Sequence, residues 1–471
     1  MNLDFKNIKQ VYLLGIGGIG MSALARYFHK MGKSVSGYDK TPTPLTDELV
    51  AEGIEIHFYD NIRLIPLNIK QLPYALDSIL VIYTPAIPKD HTEFIYFKEN
   101  GFTLMKRAEV LGLITENSNT VAVAGTHGKT TTSSLIAHIL KTANLDPSAF
   151  LGGITQNYNT NLLVGSDVSQ SSLVVVEADE YDRSFLTLHP ETGIITSVDA
   201  DHLDIYGDEK YMQESYSMFA NQVKSKLILK MSIVSKIKTN KPVITYSVSD
   251  DDADYFAQHI RIENGMYHFE IVTPTNIYAN MTVGLPGLHN VENAVAAVAA
   301  TCEMKVPEKF IREALQSFGG VKRRFDYQIK TDNLVYIDDY AHHPKELEAI
   351  IKSAKEMYPD KKITGIFQPH LFTRTRDFAD DFARSLDLLD ECILMEIYPA
   401  RELPIEGVTS QMLLNRMKSS HKSICQKDVL VETVAERKLE VLLTLGAGDI
   451  DTFVEPIKMV LLKNISNISN G

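Results

Sequence analysis

Short apolar runs alternate along the chain with segments in which apolar residues recur every three or four positions. The runs at 11–14 (VYLL), 173–177 (LVVVE) and 441–445 (VLLTL) have the length and composition of buried strands. The segments at 21–32 (MSALARYFHKMG) and 293–304 (NAVAAVAATCEM) have the period of helices that bury one face. Strands that alternate with helices are typical of parallel sheets covered by helices, so the pattern predicts an α/β protein.

One of these strand-to-helix transitions, at 120–140, contains a Gly-rich turn with the sequence GTHGKT. Gly125 and Gly128 allow backbone N–H groups to face a ligand, and the helix N-terminus adds a positive dipole. Lys129 can then reach the β- and γ-phosphates of a nucleotide, and Thr130 can hold Mg²⁺. The turn is shorter than the common phosphate loop, because Val123 stands where its first glycine would be. It predicts an ATP site.

A second Gly-rich turn lies near the N-terminus, where residues 15–20 (GIGGIG) match G-x-G-x-x-G. Asp39 follows Gly20 by 19 positions, at the end of a predicted strand, where a carboxylate can bind a ribose hydroxyl. Alone, this turn predicts a nicotinamide-dependent oxidoreductase, or a tight connection with no ligand. Two separate phosphate turns instead predict two phosphorylated ligands, ATP and a substrate that carries a diphosphate.

Carboxylates follow two strands of the central region. Glu177 ends a strand about one βαβ unit after Lys129, where nucleotide-binding sheets place a metal ligand. Glu180 and Asp182 are alternatives for that role, and a solvated acidic loop stays open. His202 follows the next strand among aspartates, and it could join the metal site or polarise a phosphoryl group. Since Mg²⁺ prefers oxygen ligands, a direct contact between His202 and the metal would be unusual, and the alternative is a contact through water.

Two basic clusters lie further along, at 322–324 (KRR) and in FTRTRD at 372–377. Guanidinium groups bind carboxylate and phosphate oxygens and neutralise the charge that develops in acyl activation. In the first cluster we expect one functional arginine with exposed neighbours, although either cluster could be a solvated surface.

Two further polar segments are candidates. His289, Asn290 and Asn293 open a helix, where they either cap it or read an adenine edge. Residues 338–343 (DDYAHH) end a strand of the last third, and so dense a polar set at a strand end predicts a site.

The bulk properties limit the function. A formal net charge of −13 argues against nucleic acid or an anionic membrane as the main partner. The three cysteines (Cys302, Cys392 and Cys425) show no metal or disulfide spacing and suit a reducing compartment. With no apolar run long enough to cross a bilayer, we predict a soluble, cytoplasmic protein without membrane insertion.

The chain is long enough for about three domains of ~150 residues. We predict a Rossmann-like N-terminal domain over 1–113 and a central P-loop ATPase domain with a mostly parallel sheet over 114–322. Residues 240–285 should append antiparallel strands to that sheet. A Rossmann-like C-terminal domain follows over 323–471.

The motifs GIGGIGMSALA, GTHGKTTT, EADEYD, DADHLD, PGLHNVENA, KRRFD, DDYAHHPKE, QPHLFTRTRD and GAGDI occur in this order. With them the chain resembles the Mur ligase family over nearly its whole length. The short phosphate loop and the Arg-Phe pair are shared with folylpolyglutamate synthetases, whereas GxGGxGM with DDYxHHP resembles the alanine-adding branch. A muropeptide-recycling ligase is the second choice, because its third-domain segment differs from QPHLFTRTRD.

The resemblance implies a reaction. ATP phosphorylates the lactyl carboxylate of UDP-N-acetylmuramate, and the amine of L-alanine attacks the acyl phosphate to give an amide and phosphate. It also implies Mg²⁺, with Mn²⁺ as a substitute, a C-terminal domain that swings in with the amino acid, and a monomer or weak homodimer.

The resemblance also implies a role for each matching residue. The implied ATP-binding residues are Gly125, Thr126, His127, Gly128, Lys129, Thr130, Thr131, His289, Asn293, Arg324 and Asp339. The implied UDP-sugar residues are Gly15, Gly17, Gly18, Ile19, Gly20, Asp39, Thr84 and Arg107. Tyr340, His342 and Arg374 would face the amino acid, and Thr130, Glu177 and His202 the metal. The implied catalytic residues are Lys129, Glu177, His202, Arg324 and Arg374.

Two departures from the family pattern matter. Leu371 stands where some relatives place an arginine for the amino-acid carboxylate, so Arg374 would carry more of that role. No lysine matches the carbamylated lysine of other Mur ligases, as expected of the alanine-adding branch. Two rival classes, an oxidoreductase and a nucleotide-gated switch, leave Glu177 and Arg324 without a task.

Overall fold

The computed structural model describes residues 5–70, 76–116, 118–166, 172–199, 209–263, 266–400 and 402–469. Its internal contacts divide the chain into two compact units. The larger unit consists of Met1–Gln258, Ile271–Ala279 and Asn293–Ser317. The second unit consists of His259–Glu270, Asn280–Glu292 and Phe318–Gly471.

The N-terminal part of the larger unit is a five-stranded sheet in the order β3-β2-β1-β4-β5. All four strand pairs are parallel. The strands are β1 (Gln10–Leu14), β2 (Ser34–Tyr38), β3 (Glu55–His57), β4 (Ile79–Tyr83) and β5 (Thr103–Lys106). The helices are α1 (Ile19–Lys30), α2 (Pro44–Ala51), α3 (Leu67–Lys70), α4 (Thr92–Glu99) and α5 (Arg107–Glu116).

A ten-stranded sheet follows, in the order β15-β14-β13-β12-β11-β10-β6-β9-β7-β8. Its neighbours pair in parallel from β13 to β7, and β8 pairs antiparallel with β7. The strands are β6 (Asn119–Ala124), β7 (Ser148–Thr155), β8 (Thr160–Leu163), β9 (Leu173–Glu177), β10 (Thr192–Ile195), β11 (Lys226–Lys230), β12 (Val243–Ser247), β13 (Tyr255–Glu263), β14 (Met266–Val272) and β15 (Ile277–Val283). The helices are α6 (Lys129–Thr142), α7 (Glu209–Gln222), α8 (Leu288–Glu303) and α9 (Glu308–Ser317).

The second unit contains a six-stranded sheet in the order β16-β17-β21-β18-β19-β20. Only β16 is antiparallel to its neighbour among these described strands. The strands are β16 (Asp326–Lys330), β17 (Val335–Asp339), β18 (Ile363–Phe367), β19 (Glu391–Leu394), β20 (Lys422–Ile424) and β21 (Val441–Leu445). The helices are α10 (Pro344–Met357), α11 (Phe372–Asp377), α12 (Ala379–Leu386), α13 (Ser410–Arg416), α14 (Leu430–Ala435) and α15 (Val454–Ser469). Short 3₁₀ segments lie at Ile62–Leu64, Leu76–Ser78, Tyr181–Thr187, Met231–Lys236, Lys427–Val429 and Asp449–Phe453.

Strand β17 shows why these apolar runs become central strands. Val335 and Ile337 point into the core that contains Leu347, whereas Tyr336 points to the opposite face against Ile366. Because helices cover both faces, every position of the strand is buried, and the run is apolar up to the two aspartates that end it. The polar groups that follow it emerge at the carboxyl edge of the sheet, where ligands bind in such folds.

The three sheets confirm the predicted three-domain α/β architecture, while the boundaries at 113/114 and 322/323 stay predictions. The sequence pattern missed several strands, among them β16 and β20, because β16 is an edge strand of mostly half-exposed residues and β20 has only three residues. Within the described ranges, no helix is both long and apolar enough to cross a bilayer.

Candidate active site

The Gly-rich turn between β6 and α6 is built for close approach to a ligand. Gly125 has φ +134° and Gly128 has φ +80°, conformations that side chains rarely adopt. Gly128 is the N-cap of α6 and supplies no side-chain cap, so the first amides of the helix face the turn. A side chain at Gly125 would place its Cβ 2.1 Å from Thr196 Oγ1, so only glycine fits there.

The loop after β10 braces this turn. Thr126 Oγ1 and Ser197 Oγ lie 2.8 Å apart, and Ser197 Oγ accepts the His127 backbone N–H at 2.8 Å. The Thr196 hydroxyl donates to the Ala124 carbonyl at 3.1 Å and also to the carbonyl of His127. The side chains of two adjacent strand ends therefore fix the shape of the predicted phosphate cradle.

Lys129, the first residue of α6, lies across the turn. Its Nζ donates to the Gly125 carbonyl at 2.6 Å and lies 2.8 Å from Glu180 Oε2. Burial acts to lower the pKa of Lys129, but the carboxylates of Glu180 and Glu177 outweigh it, so that pKa lies above its usual value. Lys129 is therefore a permanent cation beside the cradle, and Glu180 is its counter-ion.

Glu177 ends β9, the neighbour of β6 in the sheet. One of its oxygens, Oε2, accepts the Gly152 backbone N–H at 3.0 Å. A Cβ at Gly152 would lie 2.2 Å from the same oxygen, so Gly152 leaves room for the carboxylate. Of the two predicted metal alternatives, Glu180 is bound to Lys129, and the side chain of Asp182 lies outside the described residues.

The predicted metal ligands are described only in part. Thr130 and Thr131 are each 7% exposed at the start of α6, and Glu177 lies at the adjacent strand end. A hydroxyl and a carboxylate are the oxygen donors that Mg²⁺ prefers, so these groups fit it. His202 lies outside the described residues. In the part of the chain that is described, no three His, Cys, Asp or Glu side chains form a metal-binding group.

Asn293, in α8, lies against the phosphate turn. Its Oδ1 accepts from Thr132 Oγ1 at 3.3 Å and would lie 2.5 Å from a Cβ at Gly128. The amide is 8% exposed and thus supports the turn from behind. The predicted adenine contact of Asn293 stays a prediction.

The side chains around the first Gly-rich turn come from other segments of the chain. A Cβ at Gly15 would lie 2.5 Å from Thr84 Cγ2, and one at Gly20 would lie 2.5 Å from Arg107 Nη1. Asp39 Oδ2 accepts the Gly17 N–H at 2.7 Å. Thr84, Asp39 and Arg107, which were predicted on separate segments, thus surround one turn.

Two residues of this turn differ from the others. Gly18, the N-cap of α1, has an extended backbone, and the nearest atom to an added Cβ is 3.6 Å away. Ile19 is 38% exposed at the start of α1. Beyond the turn, Arg107 Nη2 donates to Asp179 Oδ2 at 3.2 Å, which links the turn to the loop after β9.

In the second unit, the end of β17 carries Asp338 and Asp339. The Asp339 carboxylate accepts the N–H groups of Phe325 at 2.7 Å and Ala341 at 2.8 Å. Burial raises the pKa of Asp339 to about 6 despite these bonds. Asp338 accepts from Arg323 Nε at 3.1 Å.

The KRR segment precedes β16. Lys322 is exposed, as expected of a neighbour of the functional arginine. Arg323 is not, because its Nη2 also donates to the Gly446 carbonyl at 2.6 Å and it compensates buried Asp338. Arg324 lies 5.3 Å from the Tyr340 ring centre, its Nη1 lies 4.0 Å from Glu346 Oε1, and its side chain is 34% exposed.

His342 follows β17 and is held by Glu346. The His342 N–H donates to Glu346 Oε2 at 3.0 Å, and Nδ1 lies 2.9 Å from the Tyr340 carbonyl oxygen. Glu346 completes a capping box with His343 at the start of α10. The His342 ring centre lies 5.9 Å from that of His370, which follows β18.

Arg374 is 8% exposed in α11, the short helix that starts after His370. Leu371, the N-cap of that helix, has φ +72°, an uncommon conformation for a residue other than glycine. Glu402 accepts the Thr373 N–H at 2.9 Å and so ties the start of α11 to the loop after β19. The predicted amino-acid residues Tyr340, His342 and Arg374 thus all follow strand ends of one sheet.

His289 lies in the first turn of α8 and is solvent-exposed. A Cβ at Gly287, φ +97°, would lie 2.4 Å from the His289 ring and from Ser353 Oγ. Asn290 Nδ2 donates to the Pro286 carbonyl at 2.6 Å, so this amide serves the backbone. The adenine contact predicted for His289 remains open.

Sequence reasoning missed several groups. Thr196 and Ser197 brace the phosphate turn, and His370 and Glu346 accompany His342. Glu180 was named as an alternative metal ligand, but its role as the counter-ion of Lys129 was missed. Glu346 could have been found from the capping-box spacing, and His370 from its place directly after a strand.

Fold and site define a class: an α/β enzyme whose central sheet carries a lysine-bearing phosphate turn of the P-loop type. Three family models match in order: "Mur ligase family, catalytic domain" over residues 10–119, "Mur ligase middle domain" over 123–301 and "Mur ligase, glutamate ligase domain" over 323–450. The chain belongs to the Mur ligase family.

Curated relatives are similar over their full length. A UDP-N-acetylmuramate–L-alanine ligase of Flavobacterium johnsoniae is 50% identical over 468 residues, which are 99% of this chain and 100% of the relative. The ligase of the same name from Cytophaga hutchinsonii is 48% identical over 97% of this chain and 98% of its own. The solved UDP-N-acetylmuramate-alanine ligase of Thermotoga maritima superposes with a TM-score of 0.79 at 27% identity, covering 97% of this chain and 99% of that one.

Proposed function

We propose that this chain is an ATP-dependent ligase that joins L-alanine to the lactyl carboxylate of UDP-N-acetylmuramate through an acyl phosphate, in peptidoglycan precursor synthesis. The proposal rests on one observation above all: the two Gly-rich turns of the larger unit, in a chain 50% identical to a ligase of that name over 468 residues. Neither turn alone distinguishes a ligase from an oxidoreductase or a nucleotide switch.

The second turn would bind ATP. The backbone amides of 125–128 and the start of α6 suit the phosphates, and Lys129 neutralises charge on the transferring phosphoryl group. Mg²⁺ would supply further neutralisation of the phosphate oxygens. Thr130 and Glu177 would hold it, and His202 stays a candidate at that site.

The first turn would bind the diphosphate of the UDP-sugar. Arg107 lies against it and would supply a cation, and Thr84 and Asp39 flank it. Since the Gly17 N–H already donates to Asp39, a diphosphate that uses this amide must replace that bond. We therefore expect Asp39 to turn toward the nucleoside when the sugar binds.

The strand ends of the second unit would recognise L-alanine. The planar guanidinium of Arg374 suits the carboxylate of L-alanine. His342, fixed by Glu346, suits the amine of L-alanine once that amine has lost its proton. Arg324 would contact phosphate and Asp339 the ribose of ATP.

A free-thiol state of Cys302, Cys392 and Cys425 fits the proposed cytoplasmic location. The predicted monomer or weak homodimer is testable by light scattering.

The decisive experiment measures phosphate release from ATP with UDP-N-acetylmuramate as acceptor. L-Alanine, glycine, L-serine and the recycled tripeptide are compared as amines. The highest kcat/KM should be obtained with L-alanine. Preference for the tripeptide would favour the recycling reaction, and no release with any amine would reject the proposal.

The role of Arg374 has its own test. Because lysine offers a point charge in place of two fixed donors, Arg374→Lys should raise the KM for L-alanine about tenfold and leave binding of an ATP analogue unchanged. Arg376→Lys, on the exposed side of the same helix, is the control. An alanine KM within twofold of wild type would remove Arg374 from this role.

A further inference from the structure

We propose that the hairpin of β7 and β8 is a positioning element for phosphoryl transfer, which holds the first Gly-rich turn through Asn161 and the Glu177 carboxylate through Gly152. The proposal rests on the proposed function, because it assumes that the ligands of these two places react with each other. Asn161 and Gly152 would act through the turn and through Glu177, so they are positioning residues.

Strand β8 carries a buried amide that contacts the first Gly-rich turn. Asn161 is fully buried, and its Nδ2 donates to the Ile19 carbonyl at 2.6 Å. Ile19 is the first residue of α1 and lies between Gly18 and Gly20. The Asn161 side chain, which is 142 positions from Ile19 in sequence, therefore binds the backbone of the predicted diphosphate turn.

The other end of the same amide binds a buried cation. Asn161 Oδ1 accepts from Arg26 Nη1 at 2.8 Å, and Arg26 is 5% exposed in α1. Glu52 and Glu48 accept from the same guanidinium at 2.8 Å each, so its charge is compensated. Arginine can only donate and a carbonyl can only accept, so the amide has one possible orientation.

Apolar packing adds to this contact. The rings of Tyr27, in α1, and Phe150, in β7, lie 5.2 Å apart and are both buried. Helix α1 is thus fixed to the hairpin on both of its strands, by an amide on β8 and an aromatic contact on β7. A buried polar group with all its partners present specifies one arrangement, because any shift leaves one of them unpaired.

A second contact lies within β7, at Gly152. The Gly152 N–H donates to Glu177 Oε2 at 3.0 Å, and no Cβ fits between them. Strand β7 pairs in parallel with β9, which Glu177 ends, through the pair Phe150↔Val176. The hairpin is therefore bonded directly both to the sugar-nucleotide turn and to the predicted metal ligand.

A reason for such a device follows from the chemistry. Phosphoryl transfer between two bound substrates requires the reacting atoms to be held about 3–3.5 Å apart, and a misplacement of about 1 Å can cost ~100-fold in rate. The two substrates would be bound by separate turns, so an element bonded to both sides fixes their separation. Loss of this element should lower kcat by a larger factor than it raises the Kd of either ligand.

The experiment uses the full chain with the substitution Asn161→Asp. This variant keeps the size of the side chain and its bond to Arg26, and it replaces the amide donor, which bonds the Ile19 carbonyl and Ser22 Oγ, by a carboxylate oxygen. Asn161→Ala is the second variant, in case the first disturbs folding. Asn157→Ala is the matched control, because Asn157 lies in the turn of the same hairpin and binds the Ser317 carbonyl instead.

Three quantities are measured for each folded variant: kcat for phosphate release, the Kd for UDP-N-acetylmuramate and the Kd for an ATP analogue. For Asn161→Asp we expect kcat to fall at least tenfold, the analogue Kd to stay within twofold and the UDP-sugar Kd to rise by less than kcat falls. Asn157→Ala should match wild type in all three. A purely structural role would lower the melting temperature without this separation of kcat from binding.

The outcomes separate this inference from the proposed function. Wild-type protein that releases no phosphate with UDP-N-acetylmuramate and L-alanine overturns the proposed function and the inference with it. Active wild type with Asn161→Asp within twofold of its kcat overturns the inference alone. Equal loss in Asn161→Asp and Asn157→Ala also overturns it.

Discussion

The two Gly-rich turns of the larger unit follow the same strand, turn and helix, yet they obtain their charged partners differently. The second turn carries its own cation, Lys129, and its glycines adopt φ +134° and +80°. The first turn has no cation of its own, and Arg107, from the start of α5, lies against it. Its N-cap, Gly18, has an ordinary extended backbone.

This difference suits two ligands with different roles. A turn whose ligand reacts needs a cation in a fixed position. Glu180 holds Lys129, and the loop after β10 holds the turn. A turn that only holds a substrate can take its cation from another segment, which leaves room for a sugar nucleotide. The comparison predicts large effects on turnover at the second turn and effects on substrate binding at the first.

The largest effect is expected for Lys129→Ala. Loss of the cation that neutralises the transferring phosphoryl group should lower kcat more than ~100-fold. The measurement is phosphate release by protein whose circular dichroism matches wild type. Lys141→Ala, at the other end of α6 and on the surface, is the control and should keep full activity. Near-normal kcat in folded Lys129→Ala would remove the distinction between the turns.

A smaller effect should separate Gly125 of the second turn from Gly18 of the first. Gly125→Ala places a side chain at φ +134° and 2.1 Å from Thr196 Oγ1, which should destabilise the fold by about 1–3 kcal/mol. Gly18→Ala meets nothing closer than 3.6 Å and should change stability by less than about 0.5 kcal/mol. Thermal unfolding of both variants compares them directly. A similar fall in melting temperature for both would show that Gly18 is as constrained as Gly125.

The smallest effect concerns pH, since β1 carries a titratable side chain and β6 carries none. Tyr12, in β1, donates to buried Glu93, and burial raises the pKa of Glu93 to about 7. Asp60, Tyr38, His57 and His91 also face this cluster, and burial lowers the pKa of both histidines. A raised carboxyl pKa contributes stability that is complete below about pH 4.5 and is lost as pH rises through 7.

Comparison with Glu93→Gln isolates this contribution, because the histidines titrate in both proteins. The melting temperature of wild type relative to Glu93→Gln should fall by a few degrees between pH 5 and pH 8. Glu55→Gln, an exposed glutamate of the same sheet, should show no such trend. A difference that does not change between pH 5 and pH 8 would mean that Glu93 is already ionised in the folded protein at pH 5.

Local patterns predicted what depends on local sequence. The apolar run of β6 and the glycines after it predicted the strand, the turn and the position of Lys129. Hydrophobic periodicity and the left-handed backbone that glycine allows are both determined by a few neighbouring residues. The pairing of Lys129 with Glu180 could not be predicted, since three nearby acidic residues fit the motif equally. The bracing by Ser197 joins positions 70 apart and depends on which strands become neighbours.

We expect the two turns to bind two different ligands at once. The most direct test is a calorimetric titration of UDP-N-acetylmuramate into the protein, alone and then saturated with a non-hydrolysable ATP analogue and Mg²⁺. We predict one molar equivalent of UDP-sugar bound in both cases, and no binding of NADH. Displacement of the UDP-sugar by the ATP analogue, or NADH binding that competes with the sugar, would contradict the account.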